Sequence, residues 1–81
     1  MKSTQVQEVN ARLKEFCEYL GKSDRQIAAK CGIYQTTFSR YTAGSRDLSL
    51  LAVMQVLEAF PQLNYNWLLF GRGSMIKNPQ S

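Results

Sequence analysis

The segment "DRQIAAKCGIYQTTFSRYTAG", residues 24–44, constrains the fold more than any other part of the chain. Its apolar residues recur three or four positions apart, which is the spacing of a helix. Gly32 interrupts this pattern, and glycine readily takes the positive φ that a tight turn needs. Ala28 is small enough to let a second helix cross closely. The segment therefore predicts two helices joined by a sharp turn at 32–34.

The rest of the chain predicts three more helices and no strand, because no alternating apolar pattern or hairpin dipeptide is present. Apolar residues at helical spacing cover 6–20, and two further apolar segments cover 49–60 and 64–70. The expected caps and stops are Ser23 with Gln26 as a capping box, Ser49 and Asn64 as N-caps, and Gly21, Gly32, Gly44, Pro61 and Gly71 as ends. The predicted fold is all-α, a compact bundle of five helices.

The chain of 81 residues is long enough for one small domain, which we place at 1–76, with a tail or linker at 77–81. Cys17 and Cys31 fall among apolar helical positions, where a thiol behaves as a small hydrophobe. With no histidine in the sequence, two thiols do not complete a zinc site, and we expect no metal, no cofactor and no enzymatic activity. No signal peptide or membrane span is recognisable, so we expect a cytoplasmic protein.

The net charge of +4 is concentrated in one part of the chain. Residues 1–21 and 47–81 each balance their acids and bases, whereas 22–46 carries five basic residues against Asp24 alone. Such a patch attracts a polyanion. The alternative is a solvated surface that happens to be basic.

The positions in 24–41 resemble the helix-turn-helix motif of DNA-binding proteins. With Asp24 as the first position, the motif's constrained positions are filled by Ile27, Ala28, Cys31, Gly32, Ile33, Phe38 and Tyr41. The motif proper covers 24–43. Because Phe38 and Tyr41 define the inner side of the second helix, we expect Thr36, Ser39 and Arg40 to face outward and Gln35 to project from its tip.

This outer face carries the donors and acceptors that read DNA bases in a major groove. Glutamine pairs with adenine, arginine pairs with guanine, and hydroxyl groups adapt to either. An ordinary solvated helix surface, the alternative, would carry more of the strong helix formers Glu and Lys. The expected phosphate contacts flank this helix: Lys22, Ser23, Arg25, Gln26, Tyr34, Thr37, Ser45 and Arg46.

The order of helices over residues 8–76 resembles the lambdoid phage repressor and Cro family, the XRE-type regulators, and the ending "NWLLFGRGSM" resembles a subgroup of phage-repressor N-terminal domains. The resemblance implies a lambda-repressor-like domain of bacterial or phage origin. It also implies that Gln35, Thr36, Ser39 and Arg40 touch bases. Relatives often carry a C-terminal self-cleaving or dimerising domain, and the sequence is compatible with a complete small regulator or with a fragment of a longer one.

The sequence departs from the family where Tyr34 replaces the usual Ser or Thr cap of the second motif helix. Two consequences are open: a shifted helix start, and a Tyr34 side chain that either touches a phosphate or covers the turn. The apolar residues of "NWLLF" surround a short helix completely, so we expect some of them to form a dimer interface: Trp67, Leu68, Leu69 and Phe70. Ordinary core packing is the alternative.

These observations together predict a sequence-specific DNA-binding transcriptional regulator, with a repressor expected, that binds double-stranded DNA as a homodimer on a two-fold symmetric operator. The alternative function is the antitoxin of a toxin–antitoxin pair, which would bind a protein toxin and regulate its own promoter. A protein-interaction module without DNA binding is a third possibility.

Overall fold

The computed structural model describes residues 4–77, with side chains from Glu8 onward, and within this range the chain forms five helices and no strand. The helices are α1 (Thr4–Leu20), α2 (Asp24–Cys31), α3 (Gln35–Ala43), α4 (Leu50–Ala59) and α5 (Tyr65–Phe70). The all-α prediction is confirmed. The described residues leave out residues 1–3 of the predicted domain, residues 78–81 of the predicted tail and the side chain of Val6, with which the helical spacing over 6–20 begins.

Local capping signals explain where the helices begin. The Ser23 hydroxyl accepts a hydrogen bond from the Gln26 backbone N–H at 3.2 Å, and the Gln26 Oε1 accepts one from the Ser23 backbone N–H, also at 3.2 Å, which is the predicted capping box. Ser49 accepts from the Ala52 N–H at 3.1 Å, and Asn64 caps α5 in the same manner. The three predicted N-caps are therefore confirmed.

The core lies where α1 packs against α3 and α5 while α2 packs against α3 and α4. Phe16 of α1 meets Phe60 edge to face, with ring centroids 5.3 Å apart. The residues predicted to face inward from the motif, Ile27, Ala28, Cys31, Phe38 and Tyr41, are all buried in this core, and Ile33 is half-buried against it. The apolar residues of 24–41 therefore belong to one core that α2 and α3 share.

Arg12 fixes α1 to the end of α5. Its Nε donates to the Leu68 carbonyl at 2.8 Å and its Nη2 donates to the Leu69 carbonyl at 3.1 Å. The last carbonyls of a helix have no partner within the helix, and a cation there also interacts favourably with the helix dipole. A side chain of the first helix therefore completes the hydrogen bonding of the last one.

The segment after α5 returns to the body of the domain over the residues up to Lys77. Leu63 and Ile76 form an isolated antiparallel bridge, and the Lys77 N–H donates to the Gln62 carbonyl at 2.8 Å. The half-buried side chains of Met75 and Ile76 pack against the core. Their packing brings the following backbone N–H, that of Lys77, to the Gln62 carbonyl.

Candidate nucleic-acid interface

The turn between α2 and α3 has the conformation that the sequence predicts. Gly32 has φ 74° and ψ 29°, and the Ile33 N–H donates back to the Ala28 carbonyl at 3.0 Å. A Cβ built at Gly32 would meet only the Gln55 side-chain nitrogen, at 3.9 Å, so the positive φ rather than lack of space requires glycine. Gln55 also donates to the Gly32 carbonyl at 3.3 Å, which holds α4 against the turn.

The outer face of α3 presents most of the residues predicted to read bases. Phe38 and Tyr41 are buried, whereas Gln35, Thr36 and Arg40 are exposed. Ser39 is only half-buried, since it lies at the border of the two faces. The structure therefore brings three of the four predicted base readers onto one exposed surface and leaves the fourth at its edge.

Tyr34 resolves the two questions that its position raises. It is the N-cap of α3 with extended backbone angles, so the helix starts at Gln35 without a shift, and its side chain makes no capping hydrogen bond. The ring is 84% exposed, which excludes the interpretation that it covers the turn. Tyr34 instead projects beside Gln35 at the leading end of α3.

The residues predicted to contact phosphate lie at the start of α2, in the first turn of α3 and just beyond the end of α3. They differ in which of their polar atoms are already hydrogen-bonded within the protein. Lys22, Arg25 and Arg46 are exposed cations. The predicted side chains of Ser23 and Gln26 are also exposed, but the hydroxyl of one and the carbonyl oxygen of the other are used in the capping box. Thr37 is half-buried, and the Ser45 hydroxyl donates to the Arg40 carbonyl at 3.4 Å.

Asn10 is a buried residue of this region that the sequence interpretation missed. Its side-chain nitrogen donates to the backbone carbonyls of Tyr41 and Arg46, both at 2.8 Å. It thereby joins α1 to the end of α3 and to the loop that carries Arg46. A signal was present, because Asn10 lies three residues before Leu13 and seven before Cys17, on the apolar side of α1.

Asp24, the only acidic residue in 22–46, accepts a hydrogen bond from a hydroxyl group of α3. Thr42 donates to Asp24 Oδ2 at 3.0 Å and also to the Ser39 carbonyl at 3.1 Å. This contact joins the start of α2 to the end of α3. It adds to the turn at Gly32 as a second constraint on how the two helices lie.

The two thiols are part of the core. Burial raises the pKa of Cys17 to about 12, with Asp24, Cys31 and Glu18 adding to the effect. Burial raises the pKa of Cys31 to about 11, against an opposing effect of Lys30. Both groups are thus uncharged thiols at neutral pH, whereas metal ligation and nucleophilic attack need the thiolate. Among the described residues, no three Cys, Asp or Glu side chains form a group that could hold a metal ion.

The predicted dimer interface on α5 is wrong in one residue. Leu68 is fully buried in the core of its own domain, because α5 packs this side against α1, and it cannot reach a partner. Trp67 and Leu69 are half-buried. Phe70 is 51% exposed, and the Arg72 guanidinium carbon lies 5.7 Å from its ring centroid. Core packing accounts for more of this helix than the sequence interpretation assumed.

Comparison of the chain with protein-family models, with curated proteins and with solved structures gave no match. None of the described helices is both long enough and apolar enough to cross a membrane.

Proposed function

We propose that this chain is a sequence-specific DNA-binding transcriptional regulator of the cytoplasm, a repressor built as a lambda-repressor-like helix-turn-helix domain. In this proposal α3 enters the major groove and two copies bind a two-fold symmetric operator. The observation that carries it is the outer face of α3, where Gln35, Thr36 and Arg40 are exposed on a helix whose other side is buried.

The chemistry of that face favours base recognition over a merely solvated surface. Residues 35–43 contain four Ser or Thr side chains, at 36, 37, 39 and 42, and neither Glu nor Lys. Hydroxyl residues are weaker helix formers than Glu or Lys on an exposed face. The Gln35 amide supplies the donor and acceptor that match adenine, and the Arg40 guanidinium supplies the two donors that match guanine.

The exposed cations near α3 support contact with DNA phosphates. Lys22 and Arg25 are exposed near the start of α2, and Arg46 is exposed beyond the end of α3. The start of α2 adds the positive end of the helix dipole. Asp24 accepts a hydrogen bond from Thr42, so the single acid of the segment is occupied within the protein.

Selection of bound genomic fragments at two salt concentrations tests the proposal. We expect the selected fragments to share a dyad-symmetric site. With three cations per copy on phosphates, the affinity should fall about 40-fold per copy between about 50 and 200 mM salt. The Lys14→Ala variant, which removes an exposed cation of α1 outside 22–46, should keep the same salt dependence.

A bound pool with the same sequences as the input at both salt concentrations would contradict sequence-specific binding. An affinity for DNA that is the same at both salt concentrations would contradict the proposed phosphate contacts.

A further inference from the structure

Asn10 places an amide group in a core that is otherwise apolar. Its side chain is 3% exposed, and among the side chains that the structure describes it is the only buried one of a polar or charged residue, tyrosine aside. Leu13 and Cys17, on the same side of α1, are buried with it. A buried polar group costs free energy unless hydrogen bonds compensate for its burial. The partners of the Asn10 amide therefore indicate what a polar group does at this position.

Both hydrogen bonds of the Asn10 amide end on backbone of the candidate interface. Nδ2 donates to the Tyr41 carbonyl in the last turn of α3 and to the Arg46 carbonyl in the loop that follows, both at 2.8 Å. An amide nitrogen has two hydrogens, so both donors are in use. One side chain of α1 thereby fixes the position of the Arg46 backbone relative to the end of α3.

The two carbonyls differ in how else they are supported. The Tyr41 carbonyl also accepts from the Gly44 N–H at 3.1 Å, and the buried Tyr41 ring holds α3 in the core. Arg46 is an exposed residue outside the helices, and Leu48, which packs against the core, follows two positions later. Loss of the Asn10 amide should therefore leave α3 in place and release the backbone of Arg46.

Arg46 is one of the exposed cations that we expect on DNA phosphates, so the next step rests on the proposed function. A residue whose backbone is already ordered loses less conformational entropy on binding than one that binding must order. We infer that Asn10 is a positioning residue for DNA binding. It acts through the Arg46 backbone and holds the Arg46 side chain where its guanidinium can bind a phosphate.

The variant Asn10→Leu tests this inference, because leucine has nearly the size and shape of asparagine but no donor. An apolar side chain suits a core position, so the variant should fold, and thermal unfolding followed by circular dichroism verifies this. The matched control is Asn64→Ala. It removes the cap of α5 and two side-chain hydrogen bonds, with the Asn66 N–H and the Ser74 carbonyl, and so lowers stability outside the interface.

Titration of the preferred DNA site at several salt concentrations is the measurement. Arg46→Ala should lower the salt slope by about 1. Asn10→Leu should lower the slope by the same amount although it removes no charge, and should weaken binding about five- to tenfold. In the Arg46→Ala background the further loss from Asn10→Leu should be less than about twofold. Asn64→Ala should keep the wild-type slope and affinity within about twofold.

A purely structural role of Asn10 predicts a different result. Partial unfolding lowers the affinity by a similar factor at every salt concentration, so an unchanged slope in Asn10→Leu would overturn the inference. The same would follow if Asn10→Leu cost equal affinity with and without the Arg46 side chain. A wild type that binds no DNA would refute the proposed function and this role together. DNA binding by wild type with an unchanged slope in Asn10→Leu would refute the positioning role alone.

Hydrogen exchange of the Asn10 side-chain NH2 tests the inference in the wild-type protein, where the core is intact. If Asn10 and a phosphate hold the same loop, bound DNA must suppress opening of the bond to Arg46, because coupling between sites is reciprocal. On DNA the NH2 exchange should slow at least about fivefold more than that of core backbone amides. In Arg46→Ala this excess should fall below about twofold. An equal excess in both proteins, or none in wild type, would contradict the role of Asn10.

Discussion

The Asn10 side-chain nitrogen donates hydrogen bonds to two backbone carbonyls of the candidate interface. One is that of Tyr41 in α3, and the other is that of Arg46 in the loop after α3. Removing the amide leaves both acceptors without this donor, and an unsatisfied buried polar group costs about 1–3 kcal/mol. We expect Asn10→Ala to lower the free energy of unfolding by about 2–3 kcal/mol in urea titrations. Asn66→Ala removes the same side chain from an exposed position of α5 and should cost less than about 0.5 kcal/mol. Equal losses in the two variants would contradict this role of Asn10.

Arg40 and Arg46 are both exposed, yet we assign them different contacts. An arginine that pairs with guanine discriminates among bases, whereas one that binds phosphate does not. Arg40→Ala should weaken binding to the preferred site by about 1–3 kcal/mol and relax preference at one base pair. Arg46→Ala should weaken all sequences alike and reduce the salt slope by about 1. Competition binding on a set of single-base operator variants measures both effects, and identical profiles would refute the division between the two residues.

At the scale of elements, the pairing of α2 with α3 depends on the backbone of Gly32. A residue with a Cβ in the left-handed region costs about 1–2 kcal/mol. Gly21 offers a matched control, because it has φ 68° and no neighbour within 4 Å of a built Cβ. Gly32→Ala and Gly21→Ala should therefore lose similar unfolding free energy. Only Gly32→Ala should also lower DNA affinity, since only that turn orients α3. Equal DNA affinities of the two variants, measured by titration, would count against this explanation.

Elements defined by neighbouring residues could be predicted from the sequence. The capping box of Ser23 and Gln26, the turn at Gly32 and the inward side of α3 each depend on signals within a few positions. Contacts between distant residues could not be predicted in this way. Asn10 and Arg46 are 36 positions apart, and nothing near either residue indicates the other. Burial of Leu68 depends on where α1 lies, which the pattern of α5 does not contain.

At the scale of the whole molecule, the two buried thiols couple stability to alkaline pH. In the unfolded chain the pKa of a thiol is about 8.5. In the folded protein burial raises the pKa of Cys17 to about 12 and that of Cys31 to about 11. Between these values the folded protein binds more protons than the unfolded chain, so stability is complete below pH about 8.5 and falls as the pH rises.

The slope should approach at most about 1.4 kcal/mol per pH unit for each thiol. Urea midpoints between pH about 8 and 10.5 measure it. The variant Cys17→Ala/Cys31→Ala reports the contribution of the other titrating groups. A variant with the same slope as wild type would contradict the effect of the thiols.

The contact between Arg12 and the carbonyls of α5 has a consequence for synthesis on the ribosome. These partners are 56 and 57 positions apart, and α1 packs against α5 along the side that contains Leu13 and Phe16. In a nascent chain that has made only its first four helices, α3 can pack against α1, but the side of α1 that α5 covers is still open. The domain therefore reaches its final packing only after α5 has left the exit tunnel.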